Sequence, residues 1–129
     1  MATLAAATFE FQGTRIPVSG VYTFGQPRIA NKKFTKKYNA KLKKRTFRCV
    51  NDDDVVTRLP PQAFGYSHVG KLLYFDNKGK LRRDNQLSWW GKFWDRLEDK
   101  FEDVFDLPLD ELTDHSMDRY QKLAQKARK

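Results

Sequence analysis

The chain alternates short apolar runs with polar stretches in which apolar residues recur at helical spacing. Ala2-Thr3-Leu4-Ala5-Ala6-Ala7 is alanine-rich and nearly free of charge, so it predicts a helix. A helix apolar on all sides suits burial against a sheet. Residues 8–13 then read as the helix end and a turn. The run Val21-Tyr22-Thr23-Phe24, closed by Gly25-Gln26-Pro27-Arg28, predicts a buried strand and a turn. Asn31 is placed as an N-cap, and a helix is expected over 31–39 with Phe34 and Tyr38 on one face. Thr46-Phe47-Arg48-Cys49-Val50 predicts a second strand, and Leu72-Leu73-Tyr74-Phe75 a third. Residues 64–70 and 76–80 read as turns. Leu87, Trp90, Trp94, Leu97, Phe101 and Val104 share one face of a helix expected over 87–105. A last helix follows His115 and turns Met117, Tyr120, Leu123 and Ala124 inward. This helix–strand rhythm indicates a mostly parallel α/β sheet.

Composition narrows the function without choosing it. At 129 residues the chain is one domain or part of one. Lysines and arginines number 25 against 16 acids, a net charge of +9, which favours anionic partners. Lys32, Lys33, Lys36, Lys37, Lys41, Lys43, Lys44 and Arg45 form a basic cluster. Its plain reading is a solvated helix face; its functional reading is contact with phosphate or anionic lipid. No RNA-binding aromatic motif or zinc-finger spacing accompanies it, so nucleic acid ranks last among partners. The tryptophan-rich segment, Trp89, Trp90, Phe93 and Trp94, reads as an ordinary amphipathic face or as a surface for the membrane–water boundary. Cys49, alone of its kind, marks no oxidising compartment. No run approaches the ~20 apolar residues of a membrane span. The first nine residues lack the basic start of a signal peptide, which makes the cytoplasm the default expectation. No Gly-rich phosphate loop is present, and Asp52, Asp53 and Asp54 with two distant histidines lack a ligand spacing. No cofactor or metal is therefore expected.

Candidate chemistry sits in Asn51-Asp52-Asp53-Asp54-Val55-Val56-Thr57-Arg58-Leu59-Pro60-Pro61. An acid is released there from a strand end, with prolines stiffening the loop behind it. Asp114-His115-Ser116-Met117-Asp118-Arg119-Tyr120 follows later. Acid then histidine is the second half of the Ser…Asp…His order of α/β-hydrolases. Together with Val21-Tyr22-Thr23-Phe24-Gly25-Gln26-Pro27-Arg28 and Gly65-Tyr66-Ser67-His68, these stretches resemble class 3 lipases, the fungal-lipase-like branch of the α/β-hydrolases. Thr57 stands where that family often has proline, and Ala30 where it often has glycine.

The resemblance implies a partial α/β-hydrolase fold: the C-terminal half of a mostly parallel sheet with flanking helices, with residues 1–129 as the C-terminal portion of one domain. It implies Asp54 as the triad aspartate and His115 as the triad histidine, acting on acylglycerol or another ester lipid. The alanine helix looks like the one that follows the family's Gly-x-Ser-x-Gly elbow, and the sequence contains no such elbow. Ser67 lies in a near miss that leads into a strand instead of a helix, Ser116 adjoins His115 on a helix where neighbours point apart, and Ser19 and Ser88 have no motif. The expectation is a chain that supplies the acid and the imidazole, lacks the serine, and is inactive alone. Its alternative is a non-catalytic lipid-surface or partner-binding module of lipase-like shape. His68 is read as a structural histidine beneath the loop.

Overall fold

The computed structural model describes residues 1–13, 16–51, 54–60, 64–76, 78–83 and 116–127. Four strands form one sheet in the order β1 (Val21–Phe24), β3 (Thr46–Asn51), β5 (Lys71–Phe75), β6 (Leu81–Arg83). β1 and β5 both run parallel to β3, and β6 returns antiparallel to β5. The first three strands are the three predicted. β6 was not expected from the pattern, because Leu81-Arg82-Arg83 is too short and too charged to show a period. A second, two-stranded ladder pairs β2 (Ala30–Asn31) with β4 (Tyr66–Ser67), which corrects the turn predicted over 64–70.

Helices cover both faces of the sheet. The side-chain period of two sends Val21 and its partner Thr46 to one face. There they meet α1 (Ala2–Phe11) and α2 (Lys32–Leu42) in a core of Ala6, Ala7, Val21, Tyr38, Leu42 and Val69. Asn31 caps α2 as expected, its side chain accepting from the Phe34 N–H at 2.9 Å. The buried Tyr38 hydroxyl bonds the Thr46 hydroxyl at 2.9 Å, joining α2 to β3. Cys49 and Phe75 face the other way and pack with Tyr120 of α3 (Met117–Lys126), flanked by Leu73, Leu81 and Leu123.

Gly70 lets β5 start where it does. Its φ is +78°, and a Cβ there would lie 2.5 Å from Thr46 Cγ2. Its N–H donates to the Asn39 side chain at 2.9 Å. Met117, predicted inward, is instead 62% exposed. It stands in the first turn of α3, where only Tyr120 reaches the sheet. The helix expected over 87–105, with its tryptophan face, lies outside the described residues, as do Asp52, Asp53 and His115.

Candidate active site

In open α/β sheets, ligands meet the carboxyl ends of the strands. The carboxyl end of β3, the strand flanked on both sides by parallel neighbours, carries the site. Asn51 ends the strand, and the Asp54 N–H turns back to the Asn51 carbonyl at 3.2 Å. Asp54 then caps a 3₁₀ turn, Val55–Arg58, with its Oδ1 accepting from the Val56 N–H at 3.0 Å. The Thr57 hydroxyl donates to the Asp54 carbonyl at 2.8 Å. Asp54 is 1% exposed.

The second carboxylate oxygen is held from α3. Tyr120 Oη donates to Asp54 Oδ2 at 2.5 Å and accepts from the Asn51 N–H at 3.0 Å. One phenol thus fastens the last residue of β3 and the acid behind it. Burial, followed by the Asp54 hydrogen bond, pushes the phenol's pKa upward, so it stays protonated and remains a donor. Phe24, at the carboxyl end of β1, meets the Tyr120 ring edge-on at 5.7 Å. The inward position of Tyr120 was legible in its helical spacing. Its bond to Asp54 was not, because nothing local links residues 66 apart.

The rest of the loop is clamped from the opposite side. The Arg28 N–H donates to the Leu59 carbonyl at 2.6 Å, and its guanidinium to the Pro60 carbonyl at 3.1 Å. His68 hydrogen-bonds the Thr57 backbone. Burial, then the charges of Arg48 and Arg28, lower its pKa to about 2, so the ring is neutral at ordinary pH. His68 thus supports the loop from below. Arg48 donates to the Val69 carbonyl at 3.0 Å, in the segment that carries His68.

An ionised carboxylate has about four lone-pair sites. The Val56 amide and the Tyr120 hydroxyl fix its plane. A carboxylate so fixed is suited to orient an imidazole and stabilise its protonated form. His115, the residue predicted for that part, lies outside the described residues, but its neighbour Ser116 caps α3, accepting from the Arg119 N–H at 3.3 Å. The helix that begins there is the one whose Tyr120 holds Asp54. Among the described residues, no cluster of three or more His, Cys, Asp or Glu side chains is placed to hold a metal ion.

Comparison with known proteins bears on the family and the fold. Residues 1–64 match the family model "Lipase (class 3)". A triacylglycerol lipase of Arabidopsis thaliana is 44% identical over 63 residues, covering 45% of this chain and 12% of that protein. A secreted mono- and diacylglycerol lipase of Fusarium solani is 34% identical over 88 residues, covering 68% of this chain and 25% of that protein. The structure of a lipase from Rhizopus microsporus var. chinensis superposes with a TM-score of 0.51 at 31% identity, over 56% of this chain and 25% of that one. So does a triacylglycerol lipase described as having a serine-protease triad at its catalytic centre, at 0.51 and 32%, over 57% and 28%. The chain spans about a quarter or less of the length of these two relatives. Its mostly parallel sheet with helices on both faces is part of an α/β-hydrolase fold. The chain belongs to the class 3 lipase family.

Proposed function

We propose that this chain supplies the acid and the imidazole of a serine-hydrolase triad that cleaves carboxylic esters of acylglycerols, with Asp54 as the acid and His115 as the base. The observation that carries the reading is the Tyr120–Asp54 hydrogen bond of 2.5 Å. It ties the strand-end acid to the helix that begins two residues after His115. In such a triad the serine attacks the ester carbonyl and the histidine takes its proton. The aspartate holds the imidazole in the productive tautomer and stabilises its cation. The tetrahedral intermediate further needs backbone N–H donors, each contributing about 10²–10³-fold in rate. Acylglycerol is the substrate class named for the two relatives, from Arabidopsis and Fusarium.

The 129 residues hold no Gly-x-Ser-x-Gly elbow. On this reading they neither turn over a short-chain nitrophenyl ester nor label with a serine-directed fluorophosphonate. Turnover abolished by His115→Ala would place a nucleophile within these residues and overturn that half of the proposal. The acid–imidazole half is read directly by NMR titration of the two histidines. A carboxylate beside an imidazole raises its pKa above the ordinary value of about 6.5. His115 is expected above that value in the wild type and back near it in Asp54→Asn. His68 is the internal reference, since it does not charge in the same range. A His115 titration that ignores Asp54→Asn would sink the pairing.

A further inference from the structure

We infer that α2 presents a cationic half-cylinder that docks on an anionic lipid surface, independently of any ester chemistry. The positive charge of this chain is localised. From Phe11 to Asn51 there are eleven lysines and arginines and no aspartate or glutamate. From Asp52 to the end there are 14 basic residues against 15 acidic ones, a balance of −1, and Glu10 adds another −1. The net +9 therefore arises wholly within 11–51.

The structure sorts these cations into two kinds. The described arginines of this stretch are engaged by the chain itself: Arg28 by the Pro60 carbonyl, Arg48 by the Val69 carbonyl, Arg45 by the Val18 carbonyl and by Glu10 at 3.4 Å. The lysines are exposed. At about 100° per residue, Lys32, Lys36, Lys33, Lys37 and Lys41 fill one contiguous arc of roughly 180°. Phe34, Tyr38 and Leu42 fill the arc that meets the core. Lys43 and Lys44 extend the charge past the helix end.

Local physics opposes this helix. Lys32 and Lys33 occupy its first turn, where the helix dipole disfavours cations and no acid is present. Lys32/Lys36, Lys33/Lys37 and Lys37/Lys41 are like charges four apart, each pair repulsive. Lys37 has one compensating contact, its ammonium 4.7 Å from the centre of the Phe11 ring; for the remaining conflicts, a violation of local rules is what a functional surface looks like. An anionic plane opposite the arc relieves both conflicts.

Lipid, and not nucleic acid, is the partner the details favour. Recognition of individual phosphates favours the planar fork of arginine, and beside this lysine arc Arg28, Arg45 and Arg48 each donate to a backbone carbonyl of the chain itself. Lysines suit a diffuse negative potential, to which each contributes independently. Beside the start of α2, Tyr66 pairs with Asn31 across the β2–β4 ladder and is 40% exposed, and Phe64 is 69% exposed. Exposed aromatics next to lysines fit the boundary between headgroups and acyl chains.

The test is co-sedimentation of the full chain with vesicles of phosphatidylcholine alone or with about 30% phosphatidylserine, at low and high salt. Binding to the anionic vesicles only, lost at high salt, is expected. The triple variant Lys32→Gln, Lys36→Gln, Lys37→Gln should weaken it by about fivefold per lysine, or roughly 100-fold in all. This variant removes like-charge repulsion and gives up the contact of Lys37 with the Phe11 ring, two small opposed effects, so it folds comparably, which circular dichroism verifies. Phe64→Ser should weaken binding while keeping its salt dependence. Lys122→Gln, on α3, and His115→Ala should leave it unchanged, which separates this surface from the proposed triad. Equal binding to neutral vesicles, indifference to the triple variant, or an equal loss in Lys122→Gln would overturn the inference. So would salt-sensitive binding of a duplex oligonucleotide with no vesicle binding.

Discussion

Replacing Tyr120 by phenylalanine removes one oxygen and tests how the acid loop is held. The ring keeps its packing against Cys49 and Phe75 and its edge contact with Phe24. Two hydrogen bonds go. The 2.5 Å bond to the Asp54 carboxylate is charge-assisted, and such bonds contribute about 1.5–3 kcal/mol. The Asn51 N–H loses its 3.0 Å acceptor at a buried position, a cost of about 1–3 kcal/mol if nothing replaces it. Relief from desolvating the phenol offsets part of the sum. The expected loss is about 2–4 kcal/mol, read as a lower urea midpoint with an unchanged m-value. Tyr38→Phe is the matched control. That phenol is equally buried, but its partner is the neutral Thr46 hydroxyl at 2.9 Å, so roughly 0.5–1.5 kcal/mol is at stake. In an Asp54→Ala background, Tyr120→Phe should cost less than it does alone. A Tyr120→Phe protein within about 0.5 kcal/mol of wild type, or no more destabilised than Tyr38→Phe, would refute the claim that this phenol fixes the acid.

Three further outcomes follow from the described residues. His68 has a folded pKa lowered to about 2, against about 6.5 unfolded. Its contribution is therefore fully present above pH ~6.5, and stability falls with acid below that by up to about 1.4 kcal/mol per pH unit, a slope that His68→Gln should flatten between pH 6.5 and 5. An unchanged slope in that variant would show that His68 is protonated in the folded chain. Gly70→Ala should cost at least about 2 kcal/mol in urea melts, since it adds a left-handed penalty to contacts of 2.5 and 2.8 Å with Thr46. Gly13→Ala, also at positive φ but with nothing within 4 Å of the added carbon, should cost less, and equal costs would contradict the steric account. β1 is an edge of the four-stranded sheet and exposes Tyr22 and Phe24, so concentration-dependent association is expected in sedimentation velocity, with Tyr22→Lys reducing it. A single monomeric boundary at all concentrations would argue that the edge is covered.

The parts of this fold that could be read from sequence are those in which one local rule suffices. Asn31 as a cap, Phe34 and Tyr38 on one helix face, and Cys49 inside a strand each depend on spacing within a few residues. The parts that could not be read depend on partners distant in the chain. Residues 66–67 form a strand only because Ala30 and Asn31 lie beside them, and two residues show no period. Met117 and Tyr120 sit three apart and look equivalent on a helical wheel, yet Tyr120 packs on Cys49 and Phe75 and reaches a carboxylate, while Met117 is exposed. Around the candidate site, the strand-end position of Asp54 was legible because a strand end followed by prolines is a local pattern. The phenol that holds it was legible only as an apolar helix position.

Three separate segments hold the Asp54 loop: the turn after β1 through Arg28, the β4–β5 connection through His68, and α3 through Tyr120. Each clamp presents a donor to an oxygen of the loop, and the three approach from elements on different sides of the sheet. A loop held by one neighbour moves with that neighbour; one held by three keeps its place only while the whole sheet and both helix layers stay assembled. The geometry of the acid is thus a property of the tertiary fold and not of the 3₁₀ turn that displays it. Damage at a remote clamp should then be felt at Asp54 without any change in the carboxylate itself. Conversely, none of the three clamps described is made by an α2 lysine, so a surface that binds lipid can vary in charge while the acid stays where β3 delivers it.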